Sequence, residues 1–218
     1  GGSSLASAKF IPPNYRYIDE LMGDVERFIH NESNNVPHLI KIAILHYQFE
    51  TIHPFLDGNG RVGRLLITLY LVGQGILNKP ALYLSDYLER NRDEYYSHLT
   101  AIREKNQIIP WIKFFLKGII STATNAKETF IKIIQLQKDM EVKLHSFGTK
   151  SEKINTILNS FYDTPILSVK DIVTRTGIAD KTTRNMIELM LEEGLIKEMT
   201  GYGRNKLFIF EKYFNLFK

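Results

Sequence analysis

His53-Pro54-Phe55-Leu56-Asp57-Gly58-Asn59-Gly60-Arg61-Val62-Gly63-Arg64 puts one histidine, one carboxylate, three glycines, one asparagine and two arginines into a single short stretch. Few structural tasks need all of those residue types together. Gly58, Gly60 and Gly63 also spell G-x-G-x-x-G, but that dinucleotide fingerprint needs a strand before it and a βαβ unit around it. The residues before His53 carry a helical pattern instead. A lysine-based phosphate loop is excluded too, because no Gly-Lys-Ser/Thr follows.

The glycines allow a sharp turn and close approach of backbone to a ligand. A helix starting at about Gly60 would present free amides and the positive end of its dipole, which together bind anions. Arg61 and Arg64 are three residues apart and can project from the first turn towards one anion. A guanidinium fork suits phosphate. Asp57 would be repelled by phosphate unless a cation such as Mg²⁺ lay between them. An imidazole accepts a proton at neutral pH, so His53 could deprotonate an attacking hydroxyl. Taken singly these features have bland readings. A histidine is most often structural, Asp-Gly-Asn-Gly is a tight turn, and Phe55 is a core anchor.

Outward from this turn the chain reads as mostly helix. Pro12-Pro13 precedes a helix carrying Ile18, Leu21, Met22, Val25, Phe28 and Ile29 at helical spacing, and a loop HNESNNVP follows. Leu39, Ile42, Leu45, Phe49 and Ile52 mark the next helix, predicted to end near His53 because a residue before proline prefers an extended backbone. Leu65, Leu69, Val72 and Ile76 form another apolar stripe, closed by Gly75 and Pro80. RNRDEYYSHLTAIREK reads as one charged helix. A long helix with Pro110 at its first position runs towards His145. The character changes near Phe147-Gly148-Thr149. Beyond it, SVKDIVTRTG and IADKTTRNMIELMLEEGLI have helix-turn-helix pattern, with Ser168 and Asp180 as N-caps and Gly177 in the turn. LIKEMTGYGRNKLFIF then reads as two strands around Gly201-Tyr202-Gly203, completing a winged-helix pattern.

The chain has 218 residues, 44% of them hydrophobic and 24% charged, enough for one substantial core and one smaller one. No apolar run is long enough for a bilayer and no secretory leader is present. The absence of cysteine rules out disulfides and thiolate metal sites and fits a reducing, cytoplasmic compartment. A net charge of +4 permits nucleic-acid contact without arguing for it. The opening Gly-Gly-Ser-Ser, without Met, points to a fragment or a tag-cleaved product.

HPFLDGNGRVGR resembles the signature of Fic-domain proteins, H-x-F-x-D/E-G-N-G-R-x-x-R, at every fixed position. HYQFETIHPFLDGNGRVGRLL and LYLSDYLERNRDEYYSHL resemble the bacterial branch that ends in a winged helix, so the similarity spans essentially the whole chain. The resemblance implies a mostly α fold: a Fic helical domain over 1–147, then a small α+β winged helix-turn-helix domain over 148–218. It implies transfer of AMP from Mg-ATP to a Ser, Thr or Tyr hydroxyl of a protein, self-modification included. By motif, His53 is the general base and Asp57 the Mg²⁺ ligand. Gly58, Asn59 and Gly60 form the anion hole. Arg61 contacts the phosphate chain and Arg64 the γ-phosphate, while Val62 and Gly63 complete the ATP-binding stretch and Phe55 fixes the loop in the core. Tyr96 and Asn91 line the adenine pocket on a looser similarity, with Tyr83, Tyr87 and Tyr95 as competitors. Intact Asn59 and Arg64 favour AMP transfer over phosphate transfer. Phosphocholine transfer and removal of AMP by water stay open.

The inhibitory helix of many members, S/T-x-x-x-E-G/N, is missing: Glu193-Gly194 is the only Glu followed by Gly or Asn, and Leu189 stands at its Ser/Thr position. In relatives that helix and the target-clamping flap precede the stretch that GGSSLASAKFIPP resembles. For the winged helix two roles remain. One is DNA contact through Lys181, Thr182, Thr183, Arg184, Arg204 and Lys206, as in a nucleotide-sensing regulator. The other is a packing or dimerisation module, favoured by Glu188, Glu192, Glu193 and Glu198, which would repel DNA.

Overall fold

The computed structural model describes residues 10–217 apart from 32, 34 and 81. Residues 1–9 of the segment likened to the post-flap stretch therefore lie outside the described residues, as do two residues of the HNESNNVP loop. Packing divides the chain into two compact units, Gly1–Ala126 and Lys127–Lys218. Among the described residues no helix is long and apolar enough to cross a membrane.

The first unit is helical: α1 (Ile18–His30), α2 (His38–Ile52), α3 (Asn59–Gly73), α4 (Leu84–Arg90), α5 (Arg92–Lys105) and the start of α6 (Ile108–Leu144). The expected charged helix over 90–105 is divided at Asn91, where α4 ends and α5 begins. Pro110 is the third residue of α6 rather than its first, still within the turn whose N–H groups lack intrahelical partners.

α2 is the central element, packed against both α1 and α3. It is buried nearly all round, through Ile42, Ala43, Leu45, Phe49 and Ile52, as expected of a helix without a solvent face. Trp111 and Phe115 of α6 fill the space beside it, and the Trp111 indole donates to Ala43 O at 2.9 Å. Three polar residues of α2 are buried as well: Lys41, His46 and Glu50. Lys41 donates to the carbonyls of Ile29 (2.9 Å) and Asn31 (3.0 Å), where α1 leaves its last carbonyls unpaired.

α3 corrects one expectation. Leu65, Leu69 and Ile76 are exposed, whereas Gly63, Ile67, Tyr70 and Leu71 are buried. Positions 63, 67, 70 and 71 share one helix face, and Gly63 decides which, because only that face can approach α2 closely. Leu65 and Leu69 instead border a depression of about 480 Å³ with Met22, Ile29 and Val62.

The second unit contains the end of α6, α7 (Ser151–Asp163), β1 (Ile166–Ser168), α8 (Val169–Thr176), α9 (Asp180–Glu192), β2 (Lys197–Glu198), β3 (Leu207–Ile209) and the short α10 (Glu211–Phe214). Its antiparallel sheet has order β1-β3-β2, with Leu167 opposite Phe208 and Glu198 opposite the same residue. Ser168 caps α8 through a reciprocal pair with Asp171, as expected. Asp180 is not a cap. It is the first residue of α9 and its carboxylate binds Arg184 one turn on, at 2.6 and 3.2 Å. Strand β1 escapes the sequence pattern because three residues after a proline are too few to show alternation.

Candidate active site

α2 ends at Ile52, and His53 follows in the left-handed conformation at φ 53°, ψ 56°, its N–H donating to Phe49 O at 2.9 Å. The expected extended backbone before Pro54 is thus not what stops the helix. The closing hydrogen bond to Phe49 holds a non-glycine residue in a region that costs about 1–3 kcal/mol. The loop then returns to α3 through Gly58, which starts that helix at φ 83°. No side chain caps α3, so its first N–H groups are left for water or an anion.

Asn59 closes the loop. Its buried side chain accepts from Phe55 N–H at 2.9 Å and donates to Phe55 O at 2.6 Å. Phe55 itself is 50% exposed and meets Phe49 at a centroid distance of 6.3 Å, which corrects its reading as a core anchor. The loop is held by an amide clamp on the Phe55 backbone rather than by a buried ring.

Both arginines lie against the glycines. Arg61 Nη2 is 3.3 Å from where a Cβ on Gly58 would stand, and Arg64 Nη1 is 3.1 Å from where one on Gly60 would. The Asp57 side chain is 93% exposed and accepts from Arg61 at 3.1 Å. His53 is half-buried at the start of the loop. Among the described residues no three His, Cys, Asp or Glu side chains cluster to hold an ion alone. Asp57 can supply one oxygen ligand beside phosphate oxygens and water, a donor set that suits Mg²⁺.

Val62 is exposed, but Gly63 is buried at the α2–α3 crossing. A Cβ there would stand 2.5 Å from Glu50 Oε1, 3.2 Å from Phe49 and 3.3 Å from His46. Gly63→Ala should therefore destabilise the protein by about 1–3 kcal/mol through overpacking, read as a lower urea midpoint.

Support for this crossing was not legible as a motif. His46 Nδ1 lies 3.0 Å from Gly63 O, so that nitrogen carries the proton, and Nε2 accepts from the Tyr95 hydroxyl at 3.0 Å. Burial lowers the His46 pKa to about 4 and keeps the ring neutral. Burial also raises the Tyr95 hydroxyl well above its usual range. Tyr95 is thus a core aromatic. Its neighbour Tyr96 stands edge-on to it at 5.0 Å, half exposed, with Arg92 over its ring at 5.8 Å. The Asn91 side chain donates to Tyr87 O at 2.8 Å, tying α4 to α5. Tyr83 is exposed and Tyr87 packs on Phe114.

In the second unit, Lys181 and Arg204 are exposed, and Arg184 is paired with Asp180. Thr183 is fully buried, its hydroxyl donating to Ile178 O at 3.2 Å, which removes it from any surface that DNA could touch. A cleft of about 730 Å³ brings Lys170, Arg184, Arg204 and Lys206 together with Asp171, Asp180 and Glu188.

A sequence model of the Fic/DOC family matches residues 4–71. The matched stretch contains the whole His53–Arg64 segment. The chain is 39% identical over 100 residues, 46% of its length, to a probable protein adenylyltransferase of Aquifex aeolicus. It is 32% identical over 105 residues, 48% of its length, to the protein adenylyltransferase Fic of Drosophila yakuba. The matches span 28% and 20% of those relatives' own lengths. A Fic family protein from Desulfovibrio desulfuricans G20 shares the fold at TM-score 0.50 and 22% identity, over 93% of this chain and 58% of that one.

Proposed function

We propose that this chain transfers AMP from ATP to a hydroxyl group of a protein. The observation that carries the reading is the uncapped start of α3, where Gly58 and Gly60 each have a guanidinium laid against them. Such a cradle binds a chain of phosphates through amides, helix dipole and two arginine forks at once. Relatives named protein adenylyltransferases support the chemistry.

His53 takes the proton of the attacking hydroxyl. That oxygen forms a bond to the α-phosphorus of ATP, the bond to the β-phosphate bridge breaks, and pyrophosphate leaves. Charge gathers on oxygens that already face the Gly60 region amides and Arg61, so preorganised electrostatics carry much of the acceleration. Arg64 grips the γ-phosphate. Mg²⁺, when bound at Asp57, supplies further neutralisation of phosphate charge. Tyr96, beside Arg92 on α5, is the adenine-facing aromatic in this reading, and Asn91 places its helix.

The test is incubation of the protein with acceptor proteins and ATP labelled at either the α- or the γ-phosphorus. Protein-bound label from α-labelled ATP alone is expected. Label from the γ position alone would mean phosphoryl transfer and overturn the proposal.

We assign the second unit to the winged-helix class, on the order α7, β1, α8, α9 and hairpin. Its cleft carries three carboxylates beside four cations, with Arg184 already paired to Asp180, and this near-balance favours a protein-packing role over DNA.

A further inference from the structure

The third buried polar residue of α2 has no place in the mechanism above. Glu50 is 8% exposed, and its Oε1 has no hydrogen-bond partner. A buried carboxylate oxygen left unpaired is costly, so its retention calls for a reason. It faces the first turn of α3, with Oε1 3.9 Å from where a Cβ on Gly60 would stand. The Arg64 guanidinium also lies near that point, with Nη1 at 3.1 Å.

Arg64 is oddly placed on electrostatic grounds. It folds back towards the positive end of its own helix, where the macrodipole disfavours a cation. Among the described residues no hydrogen bond holds it there. The groups around Glu50 are His46 on its own helix, Arg64 on α3, and Tyr95 and Arg103 on α5. His46 and Tyr95 are neutral, and Arg103 donates to Thr51 at 3.3 Å and stacks on Phe10. Glu50 is thus the carboxyl group whose electrostatic influence reaches Arg64 at this helix start.

We propose that Glu50 is a positioning residue that holds the Arg64 guanidinium at the mouth of the α3 cradle, and so sets affinity for the terminal phosphate of a nucleoside triphosphate. The inference rests on the adenylyl-transfer reading of the site. Burial raises the Glu50 pKa against the pull of Arg64 and Arg103, so holding a charge there costs stability.

The test is a double-mutant cycle of Glu50→Gln and Arg64→Ala, with ATP and ADP affinity measured by calorimetry on each protein and a thermal melt for each. Glutamine keeps the volume and removes the charge. Glu50→Gln should weaken ATP about tenfold, leave ADP nearly unchanged, and melt at the same or a higher temperature. In the Arg64→Ala background the same substitution should cost no further ATP affinity. Equal loss of ATP affinity in both backgrounds, equal loss for ATP and ADP, or wild-type ATP affinity in Glu50→Gln would each overturn the inference while leaving AMP transfer intact. A wild-type protein that fails to bind ATP would instead overturn the site reading, and this inference with it.

Discussion

Replacing His53 with alanine should slow AMP transfer about 10²–10⁴-fold and leave ATP binding largely intact, because base catalysis contributes on that scale. The separation of the two effects follows from the geometry. The proposed phosphate cradle comprises the start of α3, Arg61 and Arg64, while His53 sits at the end of α2, on the other side of the loop. Asn59 holds the loop by bonding the Phe55 backbone, which the substitution does not touch. Backbone strain must be separated from chemistry, since His53 occupies a left-handed conformation that alanine also resists. His53→Gly supplies the control: it relieves the strain and still lacks an imidazole, so it should be as slow as the alanine variant. Initial rates with α-labelled ATP, alongside calorimetric affinity for ATP, read both quantities. A His53→Gly enzyme working near the wild-type rate would remove this histidine from the proton transfer.

Acidification from pH 6.5 towards 4 should cost the protein about 3 kcal/mol through His46 alone. The sign is fixed by linkage. The folded-state pKa is about 4 while the unfolded chain takes up the proton near 6.5, so the unfolded state binds more protons across that window. The contribution is complete above the unfolded value and disappears as pH falls through the folded one. The cause is burial beside Trp111, with both ring nitrogens engaged by Gly63 O and Tyr95. Glu50 acts in the opposite sense. Its raised carboxyl accepts a proton first in the folded state, adding stability as pH falls from that raised value towards the ordinary carboxylate range. Urea midpoints across this range should therefore fall more steeply in Glu50→Gln than in wild type, and much less steeply in His46→Gln. An unchanged slope in His46→Gln would show that the ring is protonated without penalty.

Much of this architecture is legible because its signals are local. The Ser168 cap, the apolar stripe of α1 and the glycine turn each sit within a few residues. What the pattern hides is set by distant partners. The buried face of α3 depends on how closely α2 can approach Gly63, so the stripe at Leu65 and Leu69 misleads. Phe55 looks like an anchor until Asn59 is seen to do that work. His46 and Glu50 are spaced i and i+4 as a polar line on the otherwise apolar α2, with His53 just past its end. That line was the available signal for the support behind the site. Its meaning needs α5, whose Tyr95 lies 49 residues from its partner His46.

The amide clamp on Phe55 has a practical corollary. With Asn59 holding the loop through the Phe55 backbone, the adjoining Leu56 side chain is left wholly in solvent beside the turn. The sequence contains no thiol. A cysteine written in at that one position would give a unique handle for a dye, seated where nucleotide arrival changes the local electric field, and the occupancy of the cradle could then be followed by light in real time.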